Sequence, residues 1–405
     1  MSALIARHWP LTRLGSVVKF ISGGTPKKGT ESYWNGQIPW VTSGEMTSER
    51  IHNTEHALTE DGALAGSRLV PKGTSFIVVR GMSLAKEFRV SLAMRDMAFN
   101  QDVKAVIPSD EFDPSFIYYY LKSQSNPIKD SASEAAHGTK KLDMAVLEQW
   151  PIPRVPLDIQ RKIAAVLCHY DDLIENNKRR ITILENMAEE IYREWFVRFR
   201  FPGWQEAEFE KGLPAGWSIK RLNDILVLQY GKALKSEDRV EGTVPVYGSS
   251  GVVGFHNEAL VERPGIIVGR KGNVGAIHWS DVAFYPIDTV YYVVSDLSKH
   301  FLYYLLHSVN FINNDAAVPG LNRKQAYSNE VLVPKSGLIE QFEELVKPLY
   351  DQKRSLIKMN DNLEKTKNQL LPRLISGKLS VENLDIQFPP SMQSDESDSA
   401  DEAAA

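Results

Sequence analysis

The sequence predicts an α+β chain built twice: two tandem mixed α/β globular modules separated by two long helices packed as an antiparallel coiled coil, with pseudo-twofold symmetry. Two observations carry this expectation. "LENMAEEIYREWF", Leu184 to Phe196, aligns without a gap on "LEKTKNQLLPRLI", Leu363 to Ile375, and upstream of each copy several further segments match in the same order. Between them lie short Val-, Ile-, Tyr- and Phe-rich runs bounded by Gly, Pro, Asn or Asp, which read as strands.

The repeat begins with "HWPLTRLGSVVKFISG" against "GWSIKRLNDILVLQYG". It continues with "IPWVTSG" against "VPVYGSSG", "SFIVVRG" against "GIIVGRKG", "FIYYYLKS" against "FLYYLLHS", and "GTKKLDMAVLEQWPIPRVPLDIQRKI" against "GLNRKQAYSNEVLVPKSGLIEQFEEL". The offset falls from about 208 to about 179 residues, so the first copy carries insertions, mainly in "TSERIHNTEHALTEDGALAGSRLV", which are expected in surface loops. A period of this length is a duplicated module, not a solenoid. The expected boundaries are 1–156 for the first module, 157–200 for the first long helix, 201–336 for the linker and second module, 337–378 for the second helix and 379–405 for a disordered acidic tail. Asp113-Pro114-Ser115 and Asp296 to Ser298 can start the "FIYYYLKS" and "FLYYLLHS" helices.

In the second long helix Phe342, Leu349, Leu356, Leu363 and Leu370 recur every heptad, and the companion seam position holds Val346, Lys353, Asn360, Lys367 and Leu374. The first shows a similar spacing through Ile159, Val166, Leu173, Ile181, Leu184, Ala188, Ile191 and Trp195, with Asn177 in the seam. Antiparallel packing with Asn177 opposite Asn360 brings Ile159 near Lys378 and Trp195 near Phe342. The two asparagines then fix register through a hydrogen bond, unless they face solvent at the seam's edge. At 1.5 Å per residue such helices are about 55 to 60 Å long. They would hold two copies of a module at a fixed distance in opposite orientation. Duplex DNA with half-sites about one helical turn (roughly 34 to 36 Å) apart suits such an object.

Composition leaves this open. A chain of 405 residues with 43% hydrophobic content fills two to three domains. No uninterrupted apolar run approaches about 18 residues and the start lacks a signal-peptide core, so a cytoplasmic protein without membrane insertion is expected. The single cysteine, Cys168, excludes an intramolecular disulfide, and its apolar neighbours mark it as a packed residue. The net charge of −4 includes the acidic "SDESDSADEAAA" ending, so any DNA-binding surface must be a local basic patch.

No motif for independent catalysis emerges. "YPIDTVYY" and "FPPSMQ" do not fit an adenine methyltransferase box. "GRKGNVG" lacks the ending of a phosphate loop and reads equally as a DNA-backbone loop or a tight turn. His52 and His56 in "HNTEH" do not have a metalloprotease arrangement, and no metal site is expected. Asp102 and Asp288 occupy matching repeat positions without a nuclease pattern around them.

The tandem layout, "GGTPKKGTESYWNGQIPWVTSGEM" from Gly23 to Met46, "PIPRVPLDIQRKIAAVL" and "LLPRLISGKL" together resemble the specificity subunit of a type I restriction-modification system, over Trp9 to Leu379. The resemblance implies that each module is a target-recognition domain reading half of an asymmetric, bipartite double-stranded DNA target, while the helices set the spacer. It implies a non-catalytic chain in a complex with two methyltransferase subunits and, for restriction, motor-nuclease subunits. S-adenosylmethionine, ATP and magnesium would be used by those partners, with no cofactor bound here. A two-headed scaffold for protein partners is the alternative, and a self-contained nuclease or methyltransferase is disfavoured by the missing motifs.

DNA contacts are expected from polar, cationic and aromatic loop residues at equivalent places in the two copies. In the first these are Thr25, Lys27, Lys28, Tyr33, Thr42, Ser43, Arg80, Thr139, Lys140 and Lys141. In the second they are Lys232, Lys235, Tyr247, Ser249, Ser250, Arg270, Lys271, Asn273, Asn322, Arg323 and Lys324. The pairs Arg80 with Arg270, and "GTKK" with "GLNRK", carry most weight. Each lysine taken singly can equally be solvated surface, and Trp40 is expected in the core because Val246 stands in its neighbourhood in the second copy.

Overall fold

The computed structural model describes residues 9–134, 139–311 and 320–392, the side chain of Ser336 excepted. The chain forms two compact units, residues 1–176 with 360–405, and residues 177–359.

The first unit centres on a five-stranded sheet in the order Val18–Ser22, Val103–Pro108, Ser75–Val78, Val90–Ala93, Arg50–Ile51. All neighbours are antiparallel except the last pair. Alternate side chains of Ser75–Val78 enter two different cores. Ile77 packs with the buried "FIYYYL" residues 116–121, and Phe76 and Val78 pack with Val41, Phe99 and Val103. A strand covered on both faces reads as a continuous apolar run, which is why "SFIVV" shows no polar alternation. The helix Pro114–Ser123 starts where Asp113 Oδ1 accepts the Phe116 N–H at 3.0 Å, with proline in its first turn.

The second unit repeats this pattern. Val227–Tyr230, Val290–Val294 and Gly265–Gly269 lie side by side in the order their counterparts occupy in the first unit, and Ile277–Ser280 completes the sheet. Ile266 and Val268 face one core and Ile267 the other. Leu11–Arg13 pairs with Pro151–Pro153, and its repeat partner Ser218–Arg221 pairs with Glu330–Val333. The helix Lys299–His307 starts at Ser298, whose hydroxyl accepts the Phe301 N–H at 3.1 Å. The duplication read in the sequence is thus a duplication of strand order.

The long helices run over Leu157–Tyr192 and Ser336–Ile375. The first passes into a π turn, Arg193–Val197, before Phe199 takes a left-handed φ of 57°. The second ends at Gly377, φ 70°, whose N–H bonds the Leu374 carbonyl at 3.1 Å. A Cβ there would meet the Trp9 ring at 3.0 Å, a tight contact that adds to the left-handed backbone in favouring glycine. Each unit contains a segment of both helices. Ile159, Ile163 and Leu167 share the first core with Leu371, Leu374 and Ile375; Ala188 and Tyr192 share the second with Ile339, Phe342 and Val346. Trp195 and Phe342, expected as neighbours, have ring centroids 6.1 Å apart.

Several expectations need correction. Leu173, placed in the seam, is 51% exposed, and its neighbour Ile174 is buried instead. The insertion expected in surface loops is built into the first unit as the strands Arg50–Ile51, Ala57–Leu58 and Leu69–Val70 and the helix Glu60–Gly66, because Ile51, Leu58 and Val70 are buried. The tail expected to be disordered from Leu379 is packed as far as Met392. Val381 is buried with Leu379, Ile386 and Met392 against the first core. Lys162 Nζ donates to the Glu382 carbonyl at 2.7 Å, His169 Nε2 is 2.9 Å from the Gln387 carbonyl, and Ser391 donates to Asp172 at 2.9 Å. Residues 393–405 lie outside the described residues. Asn177 and Asn360 do not face solvent: both are buried, and Asn360 Nδ2 donates to the Ile174 carbonyl at 3.4 Å. Among the described residues no helix is long and apolar enough to cross a membrane.

Candidate nucleic-acid interface

In the first module the loop carrying Thr25, Lys27 and Lys28 is held by close backbone approaches. A Cβ on Gly23 would lie 2.1 Å from the Phe99 carbonyl oxygen, so only glycine lets the loop lie there. Trp40 Nε1 donates to the Gly24 carbonyl at 3.1 Å and Trp34 Nε1 to the Lys27 carbonyl at 3.3 Å. Trp40 is core, as its repeat partner suggested. Thr25 Oγ1 donates to Gln101 Oε1 at 2.7 Å. The parallel pairing of Trp34–Val41 with Met97–Phe99 brings Asn100 and Gln101 beside this loop. The result is a polar cleft of about 730 Å³ lined by Thr25, Lys28, Thr42, Glu45, His56 and Gln101 among others. It offers both donors and acceptors, the complement needed to read base edges. Glu45, His56, Asn100 and Gln101 were missed in the sequence because strand pairing, not spacing, gathers them. Tyr33 is half-buried, and the Ser43 carbonyl accepts from Arg89.

A basic edge adjoins the end of strand Ser75–Val78. Arg80–Gly81 pairs antiparallel with Lys140–Lys141, which pairs with Ser133–Glu134. Arg80 and Lys141 are exposed, Lys140 and Thr139 half-buried. No ion pair engages Arg80, Lys140 or Lys141 among the described residues, which leaves their charge available to phosphate.

The second module makes the equivalent junction. Arg270 follows the strand Gly265–Gly269, Lys271 bridges to Gly320, and the Leu321 N–H bonds the Arg270 carbonyl at 2.8 Å. The guanidinium carbons of Arg270 and Arg323 lie 5.0 and 5.1 Å from the Tyr230 ring centroid. Arg270 Nη1 also donates to the Asp288 carbonyl at 2.9 Å, and its guanidinium lies 5.8 Å from the Tyr291 ring. Burial, then the neighbouring Tyr230, pushes the Tyr291 phenol up to about 12, and its hydroxyl donates to the Leu321 carbonyl at 3.0 Å. Two arginines are thus oriented on one half-exposed aromatic ring. Tyr230 was missed, although its place directly before the basic "GK" loop was a usable signal.

Other expected contacts have different places. Tyr247 is buried, with its hydroxyl donating to the Trp279 carbonyl at 3.2 Å and its ring edge-on to Phe284, so it is a core residue and not a DNA contact. Asn322 caps the helix Arg323–Ser328, its Oδ1 accepting the Lys324 N–H at 2.9 Å. Lys235 pairs with Glu237 at 3.5 Å on open surface. Ser249 Oγ accepts the Asn273 N–H at 3.4 Å, which folds "GRKGN" back over "YGSSG". Lys232 and Ser250 are exposed, and the Lys232 N–H bonds the Pro286 carbonyl at 3.0 Å.

His52, His56, Asp288 and Cys168 have structural partners. His52 Nε2 lies 2.7 Å from Glu175, His56 is edge-on to Trp34, and Asp288 presents its backbone to Arg270. Burial pushes the Cys168 thiol up to about 11, outweighing the Tyr119 hydroxyl that bonds it, so it stays protonated.

A family described as the type I restriction modification DNA specificity domain matches residues 7–186 and 214–336. The MjaIX type I restriction enzyme specificity subunit of Methanocaldococcus jannaschii is 27% identical over 419 aligned positions, covering 94% of this chain and 95% of that one. The EcoR124I/EcoR124II specificity subunit of Escherichia coli is 31% identical over 194 positions, 47% of this chain and 48% of the relative. The crystal structure of a type I restriction-modification S subunit from M. genitalium matches in fold with a TM-score of 0.57 at 20% identity, covering 92% of this chain and 99% of that one.

Proposed function

The chain belongs to the type I restriction-modification DNA specificity family, and from that premise we propose how it reads DNA. It is the non-catalytic recognition subunit of a restriction-modification complex whose catalytic activities reside in partner subunits. Each module reads one half of a bipartite target in double-stranded DNA. The observation that carries this is the junction made in both modules, where a strand-end arginine, Arg80 or Arg270, is hydrogen-bonded or paired to a second basic loop. Lys140, Lys141, Lys271 and Lys324 neutralise phosphates and fix orientation, while the arginines and the polar cleft beside Thr25 read base edges. The loop residues differ between the modules, so the half-sites differ and the target is asymmetric.

The two long helices pack antiparallel, with Asn177 and Asn360 setting register, and their length sets the unread base pairs between half-sites. The Trp195 to Phe342 contact and the shared core of Ile159 with Leu374 and Ile375 support this pairing, since in each case an end of one helix meets the opposite end of the other. Their outer faces, including Arg179, Arg180, Glu189, Glu190, Lys358 and Lys365, dock two methyltransferase subunits, and motor-nuclease subunits join for restriction. S-adenosylmethionine, ATP and magnesium serve those partners.

The test is DNA retention by the chain with its modification subunits at increasing salt. Affinity that is selective for one bipartite sequence and falls steeply with salt fits this function. Capture of protein partners with no DNA selectivity would replace it with a two-headed scaffold.

A further inference from the structure

Each unit contains a buried lysine of the second long helix that pairs with two carboxylates, one on the first long helix and one in the module. In the first, Lys367 of the second long helix is 6% exposed, and its Nζ lies 2.7 Å from Asp171 Oδ1 on the first long helix and 2.7 Å from Glu49 Oε2 in the module. In the second, Lys353 is 8% exposed and reaches Glu185 Oε1 on the first long helix at 2.9 Å and Asp281 Oδ2 in the module at 3.2 Å. The sequence positions are symmetric: the lysines stand one heptad before and one heptad after Asn360, and Asp171 and Glu185 stand one heptad either side of Lys178.

Neither lysine is where helix pairing alone would put one. A polar seam residue can specify register, but an aliphatic residue at either position would pack the helices at least as stably, because a buried ion pair seldom repays its desolvation. Register also needs only the two helices, whereas each ammonium takes its other carboxylate from the module. The carboxylates are themselves aimed. Tyr119 donates to Asp171 at 2.6 Å, Lys122 pairs with Glu49 at 2.9 Å, and Trp279 Nε1 donates to Asp281 at 2.8 Å. Beside the first triad, Arg50 and His52 of the same module segment bind Asp172 and Glu175 of the helix. An ammonium held at hydrogen-bond distance between two carboxylates from different segments fixes where one segment lies against the other.

We propose that Lys367 and Lys353 are positioning residues that set the angle at which each module is presented to its half of the DNA target, a reading that rests on bipartite recognition by the two modules. They act through Glu49 and Asp281 and touch no DNA themselves. Burial pushes the Lys367 ammonium down, but Asp171 and Glu49 outweigh it and raise it, so the pin stays charged.

The test uses the chain assembled with its modification subunits and selects bound duplexes from pools randomised in one half-site at a time. The variants are Lys367→Met and Lys353→Met, with Glu49→Gln and Asp281→Asn as milder changes that keep each lysine paired to its helix carboxylate. Lys367→Met and Glu49→Gln are expected to lower base discrimination about tenfold in the half-site read by the first module and to leave the other unchanged. Lys353→Met and Asp281→Asn are expected to do the reverse, with Lys→Arg restoring selectivity in both cases. If a methionine variant does not fold, Glu49→Gln and Asp281→Asn decide alone. If the unaltered chain selects no bipartite target, the proposed function and the positioning role fall together. If it selects one and the milder variants alter neither half-site, or weaken both equally, the lysines serve stability alone and only the positioning role is overturned.

Discussion

The Lys367 ammonium and the Asp171 carboxylate, 196 residues apart in sequence, meet at 2.7 Å with both side chains only 7% exposed. Such a pair is fragile when halved. Asp171→Leu is expected to lower the unfolding free energy by about 3 kcal/mol, because it leaves the buried ammonium with Glu49 alone. The double change Asp171→Leu with Lys367→Met is expected to recover part of that loss, since the buried ammonium goes with its carboxylate and the remaining Glu49 keeps Lys122 as its partner at 2.9 Å. Denaturant unfolding of the four species in a double-mutant cycle measures both, and an additive result would show that the two groups do not interact.

The neighbouring Glu49 supplies a pH signature. Burial pushes its carboxyl up, but Lys122 and Lys367 outweigh this and hold it at about 2, against an ordinary value of 4.5. A carboxyl depressed in the folded state contributes stability above its unfolded value, and the contribution is lost as pH falls toward the folded one. Between pH 4.5 and 2 the unaltered chain should therefore lose more stability than Glu49→Gln. Parallel acid-unfolding curves would refute the coupling.

At the second module, Arg270→Ala is expected to weaken specific DNA binding by about 1 to 3 kcal/mol and to relax selectivity at one base position. Lys141→Gln in the first module should weaken binding evenly across sequences and reduce the salt slope by about 1. Tyr247→Phe is the control. Loss of its hydrogen bond to Trp279 costs about 0.5 to 1.5 kcal/mol of stability and leaves DNA affinity unchanged. Titrations at several salt concentrations separate the three.

The packed tail predicts a stability effect far from any recognition loop. Val381 is 3% exposed, and Val381→Ala is expected to cost about 1 to 2 kcal/mol in thermal unfolding of the first unit. No change would mean that the segment after Gly377 contributes nothing to the core.

What could be read from the sequence was what local pattern encodes. The match of "HWPLTRL" with "GWSIKRL" marked equivalent segments, which form equivalent strand pairs, and Asp113 and Ser298 marked the helix starts they cap. Arg80 and Arg270 stood out because duplication placed the same residue type at the same strand end. Long-range pairing was not legible. Lys353 and Lys367 were visible as polar seam positions, but nothing near them in sequence names Glu49 or Asp281 as partners. Tyr247 misled because "YGSSG" has the composition of a contact loop, while the strand Val244–Gly248 turns its ring inward. The tail's acidic composition hid Val381 and Ile386, whose spacing alone does not reveal the surface they cover.

The central claim is that this chain chooses the DNA sequence. Adenine methylation mapped genome-wide in cells expressing the chain with its cognate methyltransferase, against cells expressing the methyltransferase alone, tests it most directly. The account predicts a split, asymmetric motif that appears only when the chain is present. Methylation that is absent or unchanged, despite an assembled and active complex, would contradict it.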